Sequence, residues 1–438
     1  MGLTITVLAI GTMSSSGRSA LATHKFMSNP LFLSILTSTI RNEIMSDNRK
    51  NNSIPLLALG FRPFYLFAAI FAVLALPVWI MALFGATPTG GYLRGIAWHS
   101  HEMIFGFAPA VIAGFLLTAV RNWTGRPTPT GAPLAGLVTL WLLARILMLT
   151  GPANAAALID ILFLPALGMA VAIPIWRSRN VRNYKVLAVL GALALANVCY
   201  HLTSLNVLPI GAARVSMMAA LDVIAILIAI IGGRVIPAFI GNAVKQAKPR
   251  HDNSVEFVSV GALVVILLLG VLNLWVSIPD LAWLVILVIA AVGQGIRLML
   301  WQPLRARGNP LLWMLPVAYA WLPITLTLRV LSLFDIVPIS AAFHALTIGA
   351  IASLMVAMMM RSALGHTGRP LVAGRAETFA FALLQLAAVV RVLANSVAAV
   401  AYGEVMIVSA VLWSLAFAVF LYRYWTILTR PRIDGRLG

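Results

Sequence analysis

Seven histidines stand in a 438-residue chain that is otherwise poor in reactive groups, with 10% charged residues and one cysteine, Cys199. Imidazole suits iron, copper, zinc and nickel, and it is a common axial ligand of haem. A lone thiol excludes a disulfide framework, a thiolate zinc cluster and a cysteine-ligated iron–sulfur centre, because each takes more than one sulfur. His24, His251 and His366 fall in polar stretches, where a solvated position accounts for them. The other four, His99, His101, His201 and His344, fall in apolar ones, and an ionisable group there reads as functional by default.

Spacing constrains these four further. Residues two apart on an α-helix point about 200° from each other, so His99 and His101 serve two sites, or one is a ligand and the other an outer contact. Glu102 follows His101 and is placed to accept a hydrogen bond from a ligand's second nitrogen, which would fix its tautomer; a proton-handling role fits it equally well. The run Met358-Met359-Met360 reads as packing.

The elements that must position these side chains are membrane spans. The chain is 61% hydrophobic, against roughly 45–50% in a soluble domain. Apolar windows, each long enough to cross ~30 Å of hydrocarbon, fall at 64–84, 100–120, 132–150, 155–175, 186–206, 215–237, 257–277, 280–300, 311–331, 340–360, 377–397 and 405–427. This predicts an all-α polytopic membrane protein of twelve helices over residues 56–430, with a short tail at 431–438. Residues 1–55 are polar and Ser-rich, and read as a disordered extension or a mis-assigned start preceding Met45.

Sorted by loop, 26 of the 31 Lys and Arg lie on one side, only Arg94 and Arg214 on the other, and Arg145, Arg329 and Arg391 within spans. The positive-inside rule then places both termini in the cytoplasm. The net charge of +19 is thus a topology signal rather than a nucleic-acid footprint, and the expected surroundings are a lipid bilayer. At about 1.5 Å per residue, the four buried histidines sit within roughly 8 Å of one depth, near the outer face.

The second and tenth spans echo each other. His101 to Thr124-Gly125-Arg126-Pro127 and His344 to Thr367-Gly368-Arg369-Pro370 are both 23 residues. The sixth span ends in Gly232-Gly233-Arg234. The pattern suggests three groups of four helices about a pseudo-threefold axis, an arrangement similar to the catalytic subunit of haem–copper oxidases. The chain lacks that family's paired histidines on the seventh helix, so oxygen reduction with proton pumping is not expected.

Four segments, LGFRPFYLFA at 59–68, WHSHEMIFGFAPAVIAGFLLTAVRNWTGRP at 98–127, GGRVIPAF at 232–239 and HALTIGAIASLMVAMMMRSALGHTGRP at 344–370, resemble the hallmarks of the NnrS family of bacterial inner-membrane proteins. The resemblance implies a b-type haem, copper, and a part in tolerance of nitric oxide and nitrosative stress, with nitric oxide as a ligand. The motif histidines are His99, His101, His344 and His366. Pairing by the repeat would put haem iron between His101 and His344, leaving His99 and His201 as copper candidates, with Arg94 and Arg214 available to haem propionates. His366, Arg234, Arg361 and Arg126 read as structural residues holding the basic loops. No pattern points to an electron donor.

Two other classes compete. Twelve helices with internal repeats suit a transporter of copper, haem or a small anion, with Asp160, Asp222, Arg145, Arg329 and Arg391 along its route. Reductase-like turnover of nitric oxide needs an open iron position, which two histidine ligands would close.

Overall fold

A computed structural model describes residues 54–85, 91–397 and 402–436. The extension expected over residues 1–55 lies outside them, Ile54 and Pro55 apart. Twelve helices among the described residues are long and apolar enough to cross a membrane. They are α1 (Phe61–Leu83), α2 (Gly95–Thr124), α3 (Gly131–Thr150), α4 (Ala153–Arg177), α5 (Tyr184–Ser204) and α6 (Gly211–Ala243). The second half comprises α7 (Asn253–Leu272), α8 (Asp280–Leu300), α9 (Pro310–Leu333), α10 (Ile339–His366), α11 (Arg375–Val397) and α12 (Tyr402–Thr429). No strand occurs among the described residues. The chain is an all-α, multi-pass membrane protein.

Each expected span corresponds to one helix, and the largest departures are at the ends of the sixth and the tenth, which both run on past the expected bound to Ala243 and His366. α6 continues through Pro237 to Ala243 rather than stopping at the proline. Proline removes one backbone donor but does not end a membrane helix whose neighbours satisfy the freed carbonyl, and α1, α4 and α9 carry interior prolines too.

Most helices pack on their neighbours in sequence, and α12 returns to pack on α1, which closes the bundle. The most buried helices are α2, α10 and α6, with 89%, 72% and 61% of their apolar windows inside the protein, and all three touch one another. They are the helices that the echo relates. Lipid is as apolar as leucine, so such contacts depend on close packing around small residues rather than on a hydrophobic difference. Gly114, for example, lies where a Cβ would press on Tyr65 and Phe64 of α1.

The echo extends to the backbone. A π-helical turn begins immediately after each related histidine, at Glu102–Phe107 and at Ala345–Ala352. Such turns insert a residue, re-aim the side chains that follow, and recur at functional sites. In the repeated TGRP loops, Gly125 and Gly368 take φ of +64° and +75°, the left-handed conformation that stops a helix, and the proline after them prevents its resumption.

At the basic end, side chains tie loops to neighbouring helices. Arg234 donates to Asn183 Oδ1 (2.8 Å) and to the Arg182 carbonyl (3.0 Å), tying α6 to the start of α5. Arg361 lies over the Phe239 ring at 3.8 Å, and His366 packs beside Phe61. The tail folds back: Arg432 donates to the His366 carbonyl (3.0 Å) and pairs with Asp434, whose carboxyl it holds well below the usual carboxylate range.

Candidate metal centre and histidine-lined cavity

His101 leaves α2 on the side facing α3, α4 and α5. There it meets His201 of α5, with the two Nε2 atoms 3.2 Å apart. Asp160 of α4 closes the triangle, its Oδ2 lying 2.9 Å from His201 Nε2 and 3.4 Å from His101 Nε2. All three side chains are buried. An ion bound at about 2.0–2.2 Å with angles of ~90–110° sets its ligands roughly 2.8–3.6 Å apart, so these edges fit one nitrogen- and oxygen-bound ion.

The surrounding hydrogen bonds sharpen that fit. His101 Nδ1–H donates to Glu102 Oε1 (3.0 Å), which leaves a lone pair on Nε2. Facing that lone pair are His201 Nε2, Asp160 Oδ2 and Asn197 Oδ1, the last at 3.2 Å. The Asn197 amide nitrogen donates to Asp160 Oδ2 (2.8 Å) and supplies no proton to the two imidazole nitrogens. Acceptors therefore outnumber protons. With Asp160 ionised and His101 neutral, the one ring proton facing this group is that of His201 Nε2, present when the Tyr92 hydroxyl donates to Nδ1 of the same ring. A buried cluster of acceptors with too few donors is costly, and a cation at its centre resolves it. Glu102 and Tyr92 would be the outer partners that orient metal-bound imidazoles.

Arg145 of α3 supplies the balancing charge. It donates to Glu102 Oε1 at 2.5 Å and pairs with Asp160 Oδ1. With neutral imidazoles, the two carboxylates and one guanidinium leave one net negative charge, again favouring a bound cation. Glu102 Oε2 and Arg145 Nε are buried without partners beside it. Arg145 reaches these carboxylates because residue 106, in the π-helical turn, is glycine; a Cβ there would collide with the guanidinium.

His99 points the other way, as the two-residue spacing requires. Its ring stacks on Trp79, with centroids 4.0 Å apart, and its Nδ1 is buried without a partner. It lines a cavity of about 440 Å³ that His344 also lines, together with Arg214 of α6, Arg391 of α11 and mainly apolar side chains. His344 Nδ1–H donates to the Ser340 carbonyl (2.7 Å), so its Nε2 keeps a lone pair. An apolar space with two imidazoles and two cations fits a planar, carboxylate-bearing group such as haem.

The fold thus sorts the four histidines otherwise than the repeat does. His101 joins His201, and His99 shares a cavity with His344. The repeat relates positions along a helix, whereas contact depends on which face each side chain leaves from. Arg94 is exposed and does not line the cavity, and Arg214 does. Asp160 and Arg145, expected along a transport route, stand at this centre instead, and no pattern in the sequence singles out Asn197 and Tyr92 beside them. The depth arithmetic that aligned the histidines, applied equally to charged residues within spans, would have grouped Asp160 and Arg145 with them.

The family model described as NnrS protein matches residues 55–432. The chain belongs to that family. No curated protein matches it.

Proposed function

We propose that this chain is a haem- and copper-binding protein of the nitric oxide response, with two metal sites side by side at its histidine-bearing end. Membership of the NnrS family supports the nitric oxide response. The observation that carries metal binding is the buried, acceptor-rich triangle of His101, His201 and Asp160. In this reading the triangle holds copper, while His99 and His344 hold haem b, with Arg214 and Arg391 as cationic partners for its carboxylates. Arg94 is left as a headgroup anchor. When bound, haem would supply an iron that a diatomic ligand such as nitric oxide reaches only by displacing one of the two histidines, and copper would supply a one-electron couple.

The chain's own residues prepare both sites. Ser340 holds His344 with its Nε2 lone pair free, and Trp79 fixes the plane of His99. Glu102 and Tyr92 orient the imidazoles of the triangle, and Arg145 lowers its net charge to one that a small cation can neutralise. The apolar cavity walls keep water away from whatever binds there. The asymmetry of basic residues supports a bacterial inner-membrane orientation with both termini cytoplasmic. The mutual contact of α2, α6 and α10 supports a pseudo-threefold frame.

A transport reading has less support, since its charged residues are engaged in pairs: Asp160 with Arg145, and Asp222 with Arg329 at 2.7 Å. The deciding experiment is absorption spectroscopy and metal analysis of the purified protein. The Soret band should disappear in His99→Ala/His344→Ala and copper in His101→Ala/His201→Ala, each without loss of the other. Wild-type protein expressed with ample haem and copper, yet carrying neither, overturns the proposal.

A further inference from the structure

The histidine-lined cavity has two others in line with it. Next along the bundle lies a space of about 100 Å³ that shares Ile224 and Ile351 with the outer cavity. It shares Tyr65, Phe115, Val235 and Met358 with a third space, of about 370 Å³, whose polar walls include Asn122, Arg361 and His366. Because neighbouring spaces share walls, the three stand one after another where α2, α6 and α10 meet, from the histidine-bearing end to the basic end.

The middle space decides what this column can pass. Its lining is aliphatic and aromatic, and the only polar side chain in it, Tyr65, is already engaged at its hydroxyl by Ser362 Oγ (3.1 Å). An ion there would be stripped of hydration with nothing to replace it, and a proton would find no hydrogen-bonded chain. Water needs two to four polar partners to stay, whereas apolar cavities of ~150 Å³ remain dry and take up xenon or benzene. The space is thus matched to small, neutral, weakly polar molecules.

We infer that the centre of the bundle is a dry conduit, passing small neutral gas molecules between the basic end and the histidine-lined cavity while holding back ions, protons and water. The identity of the destination rests on the haem reading; the conduit itself rests on the cavities. Two probes separate them, both on the full chain in nanodiscs. Xenon under pressure, followed by crystallography or by 129Xe magnetic resonance, should occupy the middle space in the unsubstituted protein. Ile228→Trp, which fills that space from a residue lining neither neighbour, should abolish this signal, and Ile228→Ala should preserve it.

With haem bound, carbon monoxide rebinding after flash photolysis should slow about tenfold in Ile228→Trp, a barrier increase of about 1.4 kcal/mol, with the Soret band unchanged. Xenon absent from the middle space overturns the conduit whatever the haem content. Unaltered rebinding in a haem-replete Ile228→Trp protein overturns its role as the gas route. A haem-free protein that still takes xenon into the middle space supports the conduit while refuting the haem reading.

Discussion

Asp160→Asn tests whether the buried triangle is a metal site or only an ion-pair network. The substitution keeps the shape of the side chain and removes its charge. Two consequences follow from the contacts of Asp160. Its Oδ2 is the only anionic atom of the ligand triangle, so metal binding should suffer more than the ~10–100-fold typical of losing an outer partner. Its Oδ1 pairs with the Arg145 guanidinium, which would be left with Glu102 alone. Breaking a buried pair from one side costs about 3–5 kcal/mol, and the remaining 2.5 Å contact to Glu102 puts the expected loss near the lower figure. The two effects are separable. In the combined variant Asp160→Asn/Glu102→Gln/Arg145→Met all three charges of the network leave together, and removing a whole buried ionic group is often close to neutral for folding. Stability should return in the combined variant, and metal should not. The assay is copper per protein after purification, with chelator competition for affinity and thermal unfolding in detergent for stability. Asp160→Asn protein with wild-type copper content and affinity would refute the ligand assignment. A combined variant that regains copper would show that the single variant failed through misfolding.

Four further outcomes follow from the same contacts. Tyr92→Phe removes the hydroxyl on His201 Nδ1, and copper affinity should fall ~10–100-fold while the haem band keeps its position. Gly106→Ala forces Arg145 off its two carboxylates, so copper retention in chelator competition should weaken although residue 106 is not a ligand. His99→Ala should abolish the Soret band and His101→Ala should preserve it, the reverse of the repeat-based pairing; spectra of the two variants decide. Glu256→Gln, at the distant, partly buried Arg297 pair, should lower thermal stability by up to about 3 kcal/mol and leave both haem and copper content unchanged.

Much of this architecture was legible in the chain because its causes are local. A span is set by the run of apolar residues needed to cross hydrocarbon, so twelve windows foretold twelve helices, with the ends of α6 and α10 placed too early. The depth of the four histidines followed from counting along each helix at a fixed rise. The opposed directions of His99 and His101 followed from the helical repeat. The repeated TGRP likewise declared a turn, since glycine in a left-handed conformation followed by proline ends a helix wherever it occurs.

Partnership was another matter. Asp160, Arg145, Asn197 and His201 stand on three different helices, and no spacing between them in sequence encodes that they converge. Their meeting depends on how α3, α4 and α5 are rotated against α2. The sequence by itself determined at what depth the reactive side chains lie, because hydrophobic length and helical rise are properties of each segment alone. Only the tertiary structure decided that His101 joins His201 and Asp160 while His99 shares a cavity with His344, because which faces of two helices meet is a property of their packing.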